Sequence, residues 1–472
     1  MRKVLLINAN TVRPPVSPIG LEYAGQALLA AGVPVEVADL AFVRDWKATL
    51  ATAARGDLIA VGVAVRNTDD CCFATGRTFL PWIAGIVSEL RRLTGAPIVL
   101  GGVGYSTAPE SVLSATAADY GISGEAEVAL PLLCRGLAEG DDVTAIPGLV
   151  HRSGDKVRCN PRKPVDLALL PLPRRRIVDN PRYEREGAMV GVETKRGCDR
   201  SCIFCADPVA KGNRVRLRPP QVVVDEFADL LEQGVTWYHL CDAEFNIDLQ
   251  HAKDVCRALI NRGLGGRLRW YTYCAPSPFD DELAGLMTRA GCAGINFGVD
   301  SLDDGQLRRL GSKHRLADVE TLVSIMKEHR FNYIFDLLLG GPGETQATVR
   351  ATLEAVRRLE VPLAGAAIGV RVYRGTPLWR SVETGRQRSG LRGSPDSVSE
   401  PLFYVSPRLG DDPMAMVADM VAGDPGFLFL GKPSAKDSYN YAGDDVLARA
   451  IADGERGAYW DILRRLRQRK VP

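Results

Sequence analysis

Three cysteines fall within one short stretch, "KRGCDRSCIFCADP": Cys198, Cys202 and Cys205. Spacings of four and three residues on one loop let three thiolates wrap a single small metal centre. A structural zinc would want a fourth thiolate or imidazole, commonly from a second C-x-x-C pair. None follows at suitable spacing; the next cysteine is Cys241. Disulfide use is disfavoured too, because the eleven cysteines are odd in number and scattered, which argues for a reducing compartment and hence the cytoplasm. A four-iron cluster held by three cysteines leaves one iron open for a further ligand.

Such a loop needs a scaffold, and strand-like and helical patterns alternate around it. Strands are expected near residues 189–194, 237–241, 268–273, 295–299, 333–339 and 366–372. Helices are expected near 221–233, 251–262, 281–290, 316–329 and 347–359. Six βα repeats suit a partial or full barrel, whose chemistry gathers at the carboxyl ends of its strands. The cysteines follow the first of these strands, at the mouth.

The first 150 residues read as a separate α/β unit, a flavodoxin-like (Rossmann-type) sheet. "KVLLINAN" is a short apolar run ending in polar residues, as a buried parallel strand should be, and four more strand–helix alternations follow. Ligands of such sheets bind at the carboxyl ends of the strands. The residues there are Asn8 after the first strand and Arg66 and Asn67 in "RNTDD" after the third. Gly101, Gly102, Ser106 and Thr107 in "GGVGYST" follow the fourth, and Gly124, Glu125 and Glu127 in "GEAE" follow the fifth. No G-x-G-x-x-G follows the first strand, so a dinucleotide fingerprint is absent. From the sheet alone, a corrinoid, a nucleotide-like ligand or no ligand all stand open.

Residues 151–188, rich in Pro and Arg, read as a linker, 189–385 as the barrel, and 386–472 as a mostly helical C-terminal region that by position would lid the substrate space. Residues 386–401 read as a flexible loop, "FLFLGKP" as a buried strand or turn, and "GERGAYWDILRRLRQRK" as an amphipathic helix. Tyr459, Trp460 and Leu463 of that helix are expected to pack on the barrel. A net charge of +2 gives no reason to expect nucleic acid or an anionic membrane as partner. No apolar run approaches the roughly 20 residues a membrane span needs.

The C-x-x-x-C-x-x-C spacing, with an aromatic Phe204 just before the last cysteine, resembles the signature of the radical S-adenosylmethionine (SAM) enzymes. The resemblance implies a [4Fe-4S] cluster on Cys198, Cys202 and Cys205 and a SAM site around it. Asp242 and Glu244 of "LCDAEFN" would lie beside the SAM amino group; Gly298, Asp300 and Ser301 of "FGVDS" would meet its ribose and carboxylate. Gly340 and Gly341 of "LLLGGPGET" would lie along the adenine, and Arg371 on the last barrel strand completes the implied SAM set. A five-strand domain ahead of that barrel, with "PIGLEY" after its first strand, resembles the cobalamin-dependent branch. The resemblance therefore implies that residues 1–150 bind cobalamin through the strand-end residues named above.

The first histidine is His151, so the D-x-H-x-x-G motif that brings an imidazole to cobalt elsewhere is missing. Arg66 is the candidate to face the lower side of the metal; a protonated guanidinium has no lone pair with which to ligate. The implied activity is C-methylation of an unactivated carbon of a small natural-product or metabolite substrate. The methyl would pass from SAM through cobalamin, with an external electron donor of flavodoxin or ferredoxin type. Cyclisation, rearrangement or ring contraction without methyl transfer would carry the same motifs. Some members of the branch methylate without an adenosyl radical and keep a protein carboxylate on the open iron; Glu244 is the carboxylate to examine for that role.

Overall fold

Two seven-stranded sheets, each wound by its own run of strand–helix alternation, carry the chain; the computed structural model describes residues 2–397, 399–429 and 445–469. The first sheet begins with β1 (Lys3–Asn8), α1 (Ile19–Ala30), β2 (Val35–Asp39), α2 (Trp46–Ala53), β3 (Leu58–Ala64) and α3 (Leu80–Leu93). It continues through β4 (Ile98–Gly101), α4 (Val103–Thr107), α5 (Pro109–Thr116), β5 (Tyr120–Ile122) and α6 (Ala126–Glu139). Strand order β2-β1-β3-β4-β5, all parallel, is the flavodoxin-like order. The apolar runs expected of strands buried on both faces are present: Val4, Leu5, Leu6 and Ile7 are all buried.

The sheet does not stop at residue 150. An antiparallel hairpin, β6 (Leu149–Ser153) and β7 (Lys156–Cys159), extends its edge into the segment expected to be linker. Sequence reading missed it because "LVHRS" and "KVRC" are short and half exposed, so neither shows a clean period. The rest of that segment is also more than a tether. It carries α7 (Asn180–Arg185), whose first residue, Asn180, shares the buried carboxylate of Glu22 on α1 with Arg175 just ahead of the helix. Arg175 also holds Glu226 at 2.7 Å, both side chains fully buried. This ion cluster fastens the first sheet to the barrel.

The barrel comprises β8 (Val190–Val192), the short pair β9 (Lys195–Arg196) and β10 (Arg216–Leu217) flanking α8 (Asp207–Lys211), then α9 (Pro220–Glu232), β11 (Trp237–Leu240), α10 (Leu249–Asn261), β12 (Arg269–Cys274) and α11 (Asp281–Arg289). β13 (Cys292–Asp300), α12 (Asp304–Leu310), α13 (Leu316–Glu328), β14 (Tyr333–Leu339), α14 (Gln346–Arg358) and β15 (Ala364–Ile368) follow. Aspartates 248, 280 and 303 cap α10, α11 and α12 by accepting from backbone N–H groups, which starts each helix directly after its loop. The large strands run parallel in the order β8-β11-β12-β13-β14-β15, so the six expected repeats are observed.

The C-terminal region divides. β16 (Val370–Arg371), α15 (Pro377–Glu383), β17 (Leu391–Arg392) and β18 (Phe403–Tyr404) form a small antiparallel sheet at the carboxyl end of the barrel, so part of the expected flexible loop is strand. After α16 (Pro413–Val421), β19 (Phe427–Phe429) adds a seventh parallel strand beside β15; the remainder of "FLFLGKP" lies outside the described residues. Helices α17 (Asp445–Ala452) and α18 (Tyr459–Gln468) close the chain. Trp460 is fully buried against Tyr271, Ile334 and Leu363, residues at the amino ends of the barrel strands. Its Nε1 donates to Asn296 Oδ1 at 2.8 Å, and Tyr271 donates to Asp461 at 2.8 Å. The last helix is thus a plug at the end opposite the cysteines and cannot lid the mouth. Leu463 packs with Leu447, Ala450 and Ile462, not on the barrel.

Candidate active site

Cys198, Cys202 and Cys205 are free thiols on the loop between β9 and α8. The root of the loop is riveted by Asp242, which accepts from the Thr194 and Lys195 backbone N–H groups at 2.8 and 3.2 Å and pairs with Lys195 Nζ at 2.9 Å. Burial opposes its ionisation, but Lys195 and these bonds hold its carboxyl below the usual range. Asp242 is therefore engaged by the root of the loop.

Burial pushes all three thiols up, Cys205 to about 12, and the thiols of Cys198 and Cys205 add to the effect at Cys202. A metal centre reverses such a shift by stabilising the thiolate. Among the described residues no three His, Cys, Asp or Glu side chains converge as one ion requires. Three thiols in mutual electrostatic reach on one loop can hold a multi-iron cluster.

Three carboxyls gather inside the barrel: Glu244 and Asp300 act on the thiols, and Asp336 acts on Asp300. Glu244 acts electrostatically on all three cysteines, and burial raises it to about 7 against the pull of Arg200 and Lys195. Its carboxylate has no hydrogen bond among the described residues. A Cβ at Gly298 would stand 3.3 Å from Glu244 Oε1, so glycine there leaves the carboxylate room. Asp300 sits at a register shift in β13 with φ 60°. Burial and Glu244 raise it to about 8. Asp336 on β14 is raised to about 6 by burial, although Asn296 donates to it at 3.0 Å. No cationic neighbour offsets the rise at Asp300 or Asp336, and such a pair suits a cation; SAM carries two, the sulfonium and the ammonium. Asp336 was not anticipated; its signal was one acid inside the apolar run "YIFDLLL".

The other residues implied for SAM lie differently. Phe204 packs against Val370 and Leu378. Ser301 Oγ is buried against Thr352 Oγ1 at 3.1 Å and accepts from the Asp303 N–H, so it serves the α12 turn. Gly340 and Gly341 donate their N–H groups to Glu344, which shapes the loop after β14. Arg371 grips Asp69 through Nε at 3.1 Å and Nη2 at 2.8 Å and donates to the Val372 and Leu402 carbonyls. Arg371 thereby ties the loop after β3, which carries Arg66 and Asn67, to the barrel.

The first sheet offers its carboxyl edge to the same space. A cleft of about 370 Å³ opens between the ends of β1 and β3, the switch point of the sheet, lined by Asn10, Thr11, Arg66, Asn67 and Trp82 among others. Asn10 Nδ2 is buried there without a partner. Corrinoids carry a rim of amide side chains, and an orphaned amide at the switch point suits one. Arg66 is exposed. A Cβ at Gly101 would meet nothing nearer than the Ile122 carbonyl at 4.0 Å; one at Gly102 would meet the Val65 carbonyl at 2.6 Å, so that glycine serves the turn.

Six other expected cobalamin contacts are used within the protein. Asn8 donates to Asp39 and to Tyr183. Ser106 donates to the Gly102 carbonyl at 2.8 Å and Thr107 to that of Gly104 at 2.8 Å. Gly124 donates its N–H to Ser106, Glu125 pairs with Arg216 at 2.7 Å, and Glu127 pairs with Arg196. The last two bind the first sheet to the barrel. Asn10 and Trp82 were missed because nothing in an isolated sequence tells which loop residue faces inward.

His239 was also unanticipated. It lies on β11 stacked on Tyr273, ring centroids 5.6 Å apart, with Nδ1 buried and unpartnered. Burial and the nearby Arg66 charge depress it to about 4, so the imidazole is neutral.

Residues 5–133 match the B12 binding domain and residues 192–356 the radical SAM superfamily. That pairing defines a class, in which a corrinoid-binding sheet is joined to a cluster-binding barrel. Over 433 residues the chain is 34% identical to tryptophan 2-C-methyltransferase of Streptomyces laurentii, covering 78% of this chain and 72% of that one. The structure of the radical SAM methyltransferase TsrM from Kitasatospora setae, with tryptophan substrate and a SAM analogue bound, superposes with a TM-score of 0.89 at 32% identity. It covers 100% of this chain and 99% of that one. OxsB, a cobalamin-dependent SAM radical enzyme, shares the fold at a TM-score of 0.72 and 16% identity, over 90% of this chain and 67% of that one. The chain belongs to the cobalamin-dependent radical SAM methyltransferases, enzymes of C-methylation that use a [4Fe-4S] cluster, SAM and cobalamin. No helix among the described residues is long and apolar enough to cross a membrane.

Proposed function

We propose that this chain methylates a ring carbon of a small heteroaromatic substrate of the tryptophan type, in the cytoplasm, and does so without an adenosyl radical. One observation carries the last point: Glu244, buried and without a hydrogen bond, stands in electrostatic reach of all three cysteines. Cys198, Cys202 and Cys205 would hold the cluster, and Glu244 would take its open corner. When bound, SAM and the corrinoid supply the methyl group and relay it to the substrate carbon.

The protein's own part is placement and exclusion of water. Asp300 and Asp336 hold the cationic SAM; Asn10, Asn67 and Gly101 seat the corrinoid; Arg66 keeps water from its lower side. Tyr273, two-fifths exposed toward the chamber, and His239 offer a flat aromatic wall for the substrate. Residues 1–150 would thus serve the corrinoid and 189–385 the cluster and SAM. A reduced flavodoxin or ferredoxin would prime the cofactors.

The test is anaerobic incubation of reconstituted protein with SAM, cobalamin, reductant and tryptophan. Product heavier by one methyl, with S-adenosylhomocysteine and no 5′-deoxyadenosine, is expected. Stoichiometric 5′-deoxyadenosine would overturn the Glu244 assignment; a shortfall of methylated product across heteroaromatic candidates would overturn the substrate class.

A further inference from the structure

Between Arg371 and the return strand β17 the chain makes an excursion whose charge is far from the +2 of the whole protein. Arg374, Arg380, Arg386, Arg388 and Arg392 fall in this stretch with one acid, Glu383. All five arginines are exposed. No carboxylate among the described residues lies in ion-pair range of any of them, whereas Arg371 just ahead of them is paired with Asp69. The excursion is compact, because β16 at its start and β17 at its end flank the same strand β18. Two strand spacings, about 10 Å, separate its ends. Arg374 is fixed in place: Nη2 donates to the Pro395 carbonyl at 3.0 Å, and the guanidinium lies 5.0 Å from the Trp379 ring centre.

The patch sits on the back of the cysteine loop. The Leu378 N–H donates at 2.9 Å to the carbonyl of Ile203, the residue after Cys202. A Cβ at Gly375 would stand 3.5 Å from Val209 on α8, and Ile203 and Phe204 share a hydrophobic cluster with Leu378 and Trp379. One hydrogen bond and one peptide unit therefore separate the outer helix α15 from a cluster ligand.

We infer that this arginine patch is the docking surface for an acidic one-electron carrier protein of the flavodoxin or ferredoxin class. The inference rests on the external-donor reading above and adds where the donor binds. Five unpaired guanidinium groups attract an acidic partner over a Debye length and raise its rate of encounter. The step is a single electron transfer: the reduced carrier loses one electron, the cluster on Cys198, Cys202 and Cys205 gains it, and no bond or proton moves.

The test uses reconstituted holoenzyme and a purified acidic flavodoxin. Binding is followed by biolayer interferometry, and cluster reduction by bleaching of its visible absorbance under anaerobic stopped flow. R386E/R388E and R374E/R392E should each weaken binding and slow bleaching by roughly tenfold or more, and raised salt should do the same to the unaltered protein. Bleaching by titanium(III) citrate and the melting temperature should stay unchanged in both variants, and Arg158→Glu, an exposed arginine on β7, should change nothing. Variants that bind flavodoxin and bleach as the parent does would overturn the docking surface alone. A parent protein that neither flavodoxin nor ferredoxin reduces would overturn the donor reading with it. Loss of tRNA binding in the variants, with flavodoxin binding intact, would overturn the inference in favour of a nucleic-acid surface.

Discussion

At the amino end of the barrel, Trp460, Asn296, Tyr271 and Asp461 satisfy one another through two hydrogen bonds of 2.8 Å, under a plug that leaves Trp460 fully buried. At the carboxyl end of the same strands, Glu244 accepts no hydrogen bond among the described residues, and His239 Nδ1 is buried without one. Both ends are rich in polar and aromatic side chains, and composition would not separate them. What separates them is that the plug's indole and phenol are matched while Glu244 and His239 Nδ1 at the mouth are not, although Tyr333 Oη at the start of β14 is also left without a partner. Unmatched buried polar atoms cost about 1–3 kcal/mol each, so they persist where a ligand completes them.

This contrast can be broken in graded steps. Cys202→Ala should abolish turnover and remove iron from the reconstituted protein, while the melting temperature of the cofactor-free chain stays close to the parent's; iron assay and calorimetry read the two together. Trp460→Ala should do the reverse, costing about 3–5 kcal/mol in urea unfolding while activity per folded molecule is kept. Arg175→Met, which strips buried Glu22 of its cation and leaves Glu226 with Arg218 alone, should cost a similar ~3–5 kcal/mol and would test whether the two sheets unfold together.

His239 gives a smaller, pH-dependent effect. Its folded value of about 4 lies below the unfolded value near 6.5, so the folded chain binds fewer protons between them and loses stability as pH falls through that window. His239→Gln should flatten that loss by about 1–2 kcal/mol, measured as urea midpoints between about pH 7 and pH 5. Tyr271→Phe, which removes one bond to Asp461, should cost only about 1 kcal/mol.

The order and kind of nearly every large element were legible, because parallel strands buried on both faces announce themselves as short apolar runs between helical periods. The cysteine loop was legible for a different reason: three ligands close in sequence must be close in space. Legibility failed where residues meet across the chain. Asp242 stands in the expected acidic motif, yet Lys195 and Thr194 claim it; Arg371 stands on the expected strand, yet Asp69 from the other sheet claims it. Glu125 and Glu127 likewise join the sheets instead of facing the cleft. No local pattern encodes such a partner. The basic excursion at 374–392 is the converse, since its arginines were in plain view but the near-zero total charge hid them.

The plug at the foot of the barrel has a kinetic corollary. With that end stoppered by Trp460, passage along the barrel axis is left to the carboxyl side, where the cysteine loop stands. Whatever is seated deepest on that axis enters first and leaves last.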